Sequence, residues 1–154
     1  MAKILGKFIH EEWTEQCNNS TSTDESPVPV TESFVNDIVN GFARSMSWQR
    51  RQTFALFCEK CIESRLMSYD QFSSLLLDDL LKLSFDAVPN VRLAFARAVS
   101  QTRGGRSFHG ERDSSAVRRG LQKLLIDKDL DCRRAARNSL GFSDTESLVD
   151  VSLL

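Results

Sequence analysis

Laying Asp86–Val99 over Asp127–Leu140 brings an aspartate, a polar helix opener, an arginine and small residues into register at a constant offset of 41 residues. The same offset carried backward sets Arg51 under Arg92, Phe54 under Phe95 and Ala55 under Ala96. Such a recurrence constrains the fold strongly, because a unit of about 40 residues cannot cover its own apolar face and must stack against its copies. Apolar residues recur at spacings of three and four in Phe34, Val35, Ile38, Val39, Phe42, in Phe54, Phe57, Cys58, Ile62, and in Phe72, Leu76, Leu80. That is the period of helices covered on one side, and strand alternation persists nowhere. The pattern predicts an all-α chain of about seven helices near 2–16, 31–44, 48–65, 69–84, 89–102, 113–126 and 130–140.

A period of roughly 40–47 residues is that of stacked two-helix units of the HEAT and armadillo type, so the expected architecture is an α-solenoid of antiparallel helix pairs. Residues 1–16 then read as the second helix of an incomplete repeat, 17–30 as a flexible Ser/Thr/Pro loop, 31–140 as three HEAT-like repeats and 141–154 as a polar, loose C-terminal tail. The segment Cys17–Val30 is polar and carries two prolines, which restrict the backbone before the next helix. Its Ser20, Thr21, Ser22 and Thr23 precede Asp24 and Glu25 and are candidate phosphorylation sites. Arg103–Gly110 is a second loop whose Gly104 and Gly105 stop a helix near Thr102; without GxxxxGK spacing they form no phosphate cradle.

Position within the repeat suggests structural roles. Asn90 and Asp131 stand where a short acceptor side chain would cap the second helix of a unit, with Pro89 just outside it. Asp86 with Arg92, and Asp127 with Arg133, are spaced so that a turn carboxylate reaches the guanidinium of its own or a neighbouring unit, and Arg51 belongs to the same series. Ser45 occupies the turn aspartate's place in the first of these units.

Chemistry is scarce. Cys58 and Cys61 have the spacing of half a zinc site, but Cys17, Cys132, His10 and His109 are scattered, and a three-residue separation inside a helix reads as two buried thiols. Glu11–Glu12 and Asp78–Asp79 are adjacent on helices and diverge by about 100°, so neither couple converges on a proton or metal. No catalytic set, metal site or cofactor is expected. Residues 89–140 carry a charge of +7, against −5 for 1–88 and −3 for the tail, within a chain of net charge −1. No apolar run approaches the ~18–20 residues of a membrane span, and the N-terminal stretch lacks a secretory pattern. The expected location is the cytoplasm or nucleus.

Trp48–Cys58, Leu80–Thr102 with VPNVR at 88–92, and Leu5–Trp13 together resemble the HEAT-repeat scaffold and regulatory subunits of protein phosphatases of the 2A type, most of all the C-terminal repeats of a phosphatase 4 regulatory subunit. The resemblance implies a non-catalytic regulator or scaffold that binds a phosphatase 4-like or 2A-like catalytic subunit through the turns inside each repeat. In this chain those turns are Ser45–Trp48, Phe85–Pro89 and Asp127–Leu130. Trp48 is the expected anchor, with Met46, Arg50, Val88, Pro89, Lys128 and Asp129 as further contacts; the indole of Trp48 closing the groove between its own helices stands as the alternative. Two other readings remain open: an independent helical adaptor for another protein, and polyanion or nucleic-acid binding through the basic segment 89–140. The apolar side of Ile4, Phe8 and Ile9 leaves weak self-association open as well.

Overall fold

A computed structural model of the chain describes residues 30–102 and 111–142. Within them every regular element is helical. Helix α1, Val30–Ile38, runs directly into a π-helical turn, Val39–Ala43. After a short turn α2 spans Trp48–Glu63. The next rod is composite: α3, Tyr69–Phe72, a π-helical turn, Ser73–Leu77, α4, Asp78–Lys82, and a 3-10 turn, Leu83–Phe85. Helix α5 covers Pro89–Ser100, α6 Glu111–Leu124 and α7 Leu130–Leu140. The expected helix 2–16, the loop residues 17–29 with their candidate phosphorylation sites, the Gly-rich loop 103–110 and tail residues 143–154 lie outside the described residues.

Local chemistry sets the ends of these elements. Helix α2 stops where Arg65 takes a left-handed conformation, φ +49°, and Leu66 N–H donates back to Cys61 O at 3.0 Å. A reciprocal capping box opens α3: Gln71 N–H donates to Ser68 Oγ at 3.2 Å, and Ser68 N–H donates to Gln71 Oε1 at 2.9 Å. Gly141, at φ +81°, closes α7 with Phe142 N–H on Arg137 O, a conformation glycine adopts without a Cβ penalty.

Two expectations about caps are corrected. Asn90 and Asp131 lie inside the first turns of α5 and α7, and Pro89 is the first residue of α5 rather than outside it. Its missing N–H is no loss there, since the first-turn amides have no intrahelical acceptor. The true cap of α7 is Asp129, which accepts from the N–H groups of Asp131 and Cys132 at 3.0 Å each. At the equivalent place before α5 stands Val88, with no side-chain cap.

The helices form two layers. Helix α2 packs along α5 and α5 along α7; in the other layer the π-helical turn after α1 meets α4, and α4 meets α6. Between the layers lies one contiguous core in which Phe54, Phe72, Phe95, Leu80, Leu121 and Leu124 are fully buried. Burial of a large side chain of this kind contributes about 1.5–3 kcal/mol. Small residues set the interhelix distances. Ala96 and Ala98 are fully buried on α5, and a Cβ on Gly120 of α6 would lie 2.9 Å from Phe95 Cζ. Among the described residues no helix is long and apolar enough to cross a membrane.

Candidate functional site

The turns preceding α2, α5 and α7 share one construction. In each, a side-chain oxygen accepts from the backbone two residues on: Ser45 Oγ from Ser47 N–H, 3.2 Å; Asp86 Oδ1 from Val88 N–H, 2.9 Å; Asp127 Oδ1 from Asp129 N–H, 2.9 Å. An arginine one turn into the following helix closes each turn by donating through Nη1 to two of its carbonyls. Arg51 reaches Ser45 O and Met46 O at 2.8 and 3.0 Å, Arg92 reaches Asp86 O and Ala87 O at 2.7 and 3.1 Å, and Arg133 reaches Asp127 O and Lys128 O at 2.5 and 3.0 Å.

The other side of each guanidinium looks to the next unit. Arg51 Nε and Nη2 grip Asp86 Oδ2 and Oδ1 at 2.5 and 2.9 Å, and Arg92 grips Asp127 at 2.7 and 2.8 Å. Both pairs span 35 residues, so the carboxylate belongs to the neighbouring unit and the carbonyls to the arginine's own. A planar fork meeting a carboxylate through two parallel bonds fixes angle as well as distance. This ladder ties the three turns side by side along one edge. Arg44, with Asp79 at 3.0 Å, and Lys82, with the same carboxylate at 2.8 Å, add a further tie next to it.

The carboxylates respond to these partners. The Arg92 hydrogen bond outweighs burial and holds Asp127 below the usual carboxylate range. Burial raises Asp86, but the Arg51 fork and the Val88 N–H more than offset it, leaving that group lowered too; Asp79 is likewise lowered, by Arg44 and Lys82 against its burial. All three remain ionised in neutral solution. The side chains of Arg92 and Asp127 are only 13% and 9% exposed, so the pair is screened little by salt.

Held up by this framework is a row of apolar side chains facing solvent. Met46 is 97% exposed, Phe85 68% and Ile126 85%, with Trp48 and Leu130 partly exposed beside them. The Lys123 ammonium lies 3.4 Å from the Phe85 ring centroid, a cation–π arrangement. Of the residues singled out in sequence, Met46, Trp48, Arg50, Pro89 and Lys128 are exposed on this edge or at its helix starts. Val88 packs partly against the core, and Asp129 is engaged in capping α7, so both serve their own turn. Phe85, Ile126 and Leu130 were not singled out as contacts in sequence. The signal was the same offset of 41, which sets Ile126 beneath Phe85 and Leu130 beneath Pro89.

The thiols stand apart from this edge. Cys58 is fully buried in α2 and pushed well above the ordinary thiol value by desolvation; burial raises Cys61 to about 12, and burial followed by Asp127 and Asp129 raises Cys132 to about 11. All three are free thiols. Among the described residues no group of three or more His, Cys, Asp or Glu side chains is placed to hold a metal ion.

Comparison with known proteins gives one name. The chain is 34% identical over 106 residues to serine/threonine-protein phosphatase 4 regulatory subunit 1 of Homo sapiens, and equally to the proteins of that name from Mus musculus and Rattus norvegicus. The match covers 64% of this chain and 11% of each relative, so the chain corresponds to about a tenth of their length. No family model matches the chain, and no solved structure matches it.

Proposed function

We propose that this chain is a non-catalytic regulatory or scaffold segment, a HEAT/armadillo-like solenoid whose edge of turns docks the catalytic subunit of a protein phosphatase of the phosphatase 4 or 2A type. The observation that carries this reading is the ladder-tied edge itself: three equivalent turns fixed by Arg51–Asp86 and Arg92–Asp127, lifting Met46, Phe85 and Ile126 into solvent. Exposed apolar side chains on a preorganised frame lose little conformational freedom on binding. The partial identity to phosphatase 4 regulatory subunit 1 supplies the partner class.

In this reading Trp48, Phe85 and Ile126 are the anchors, and Arg50, Lys123 and Lys128 form a basic rim that favours an acidic border on the partner. With this reading goes a location in the cytoplasm or nucleus. Capture of a purified phosphatase catalytic subunit on the immobilised chain tests it. Phe85→Ala and Ile126→Ala are expected to weaken capture by about ten-fold or more each, while the midpoint of thermal unfolding barely moves. No capture by the unaltered chain, or capture indifferent to both substitutions, would overturn the reading.

A further inference from the structure

Helices α2, α5 and α7 lie side by side, and positions on them repeat at the offset of 41 residues. One row across the three helices is Leu56, Arg97, Asn138; the row one helical turn nearer the ladder is Gln52, Leu93, Arg134. Leu56 is 43% exposed, and Arg97, Arg134 and Asn138 are exposed as well.

Between α5 and α7 this face opens into a cleft of about 370 Å³. Leu93, Arg97 and Ser100 line it from α5, and Asp131, Arg134 and Asn138 from α7. Spacings of three and four residues put each set on one side of its helix. The small side chains of Ala135 and Ser139 leave the room, and Ser139 Oγ, donating to Ala96 O at 3.1 Å, ties the two helices together there. The charges in the cleft are not balanced. Arg51, Arg92 and Arg133 commit their guanidinium groups to turns, whereas that of Arg97 has no hydrogen bond or ion pair among the described residues. Arg134 approaches Asp131 only to 4.0 Å, with both side chains exposed. Two cations thus face one carboxylate.

We propose that this face takes an extended acidic peptide of another protein, crossing α2, α5 and α7 in turn. An apolar side chain of the peptide rests on Leu56, and two carboxylates follow it onto Arg97 and Arg134. The spacing comes from geometry: packed helix axes are about 8–10 Å apart and an extended chain rises about 3.3 Å per residue, so successive contacts fall about three residues apart. The planar guanidinium fork suits a carboxylate. A nucleic-acid backbone fits less well, since it calls for a line of cations, and here the two arginines are flanked by Leu56 and Asp131. The cleft opens on the helix faces rather than at the turns, so the inference does not depend on the phosphatase reading.

Fluorescence anisotropy of the full chain with two labelled peptides tests it. One is a serine–glycine chain bearing leucine, glutamate and glutamate at every third place; the other is its reverse, so that both chain polarities are covered. One of them is expected to bind saturably, and at least about five-fold more tightly than a peptide of the same composition with those three residues adjacent. Arg97→Glu, at an exposed position, should leave helicity unchanged and weaken binding by about ten-fold or more. Replacing the middle glutamate of the peptide by lysine should then restore it. Asp131→Asn should tighten binding by about two-fold, because it removes the carboxylate that lines the cleft. Absence of saturable binding by both peptides, equal binding of the adjacent-residue peptide or of a single-stranded oligonucleotide of like charge, or binding indifferent to Arg97→Glu would each overturn the proposal.

Discussion

Arg92 shows how one side chain serves two units. Its Nη1 closes the turn that it follows, and its fork holds the carboxylate of the next turn. Removing it leaves Asp127 a poorly solvated charge without its partner and leaves two turn carbonyls unsatisfied. Arg92→Met is expected to cost about 3 kcal/mol or more in urea unfolding. The pH dependence has a definite sign. Asp79, Asp86 and Asp127 are all lowered on folding, so their stabilisation is fully present above the unfolded carboxylate value of about 4 and is lost as pH falls through the lower folded values. The chain should lose stability below about pH 4, and Arg92→Met should lose less over that range, as a series of denaturant melts would show. Arg65, a non-glycine residue at φ +49°, offers the opposite case: Arg65→Gly should stabilise by about 0.5–1 kcal/mol by removing left-handed strain. The thiols make a third expectation at this scale. Cys58 and Cys61, buried and raised, should resist alkylation at mildly alkaline pH until the chain unfolds.

Among the elements, the helices from α2 onward were legible because their signals are periodic and local. The limits of α7 at Leu130 and Leu140 coincide with the range expected, and α2 begins at Trp48 as expected. Finer features were hidden for physical reasons. The π-helical turns at Val39–Ala43 and Ser73–Leu77 shift register by one residue without changing composition, so spacing in sequence cannot expose them. The cap of α7 fell to Asp129 rather than Asp131 because two acidic residues flank the helix start and only backbone geometry chooses between them. Spacing left open whether each turn aspartate pairs with its own arginine or a neighbour's; the answer, the preceding unit's, depends on how the units stack. Gly120 carries an element-level prediction. Its Cα faces the buried Phe95 ring, so Gly120→Leu should separate α6 from α5 and cost about 1–3 kcal/mol in thermal or denaturant unfolding.

At the scale of the whole molecule, the core and the ladder have different jobs. The buried layer contacts hold the units together, and the ladder aligns their turns, so that apolar side chains too far apart in sequence to form a local motif become one edge. Under the proposed function this edge serves as a surface for another protein, and its carboxylates are already committed to arginine. The measurement that bears most directly on this account is hydrogen exchange of the chain alone and mixed with a phosphatase catalytic subunit. The predicted result is added protection concentrated at the three turns, residues 44–50, 85–89 and 126–130, with the outer faces of α2 and α5 unchanged. Protection confined to those outer faces, or none anywhere, would contradict it.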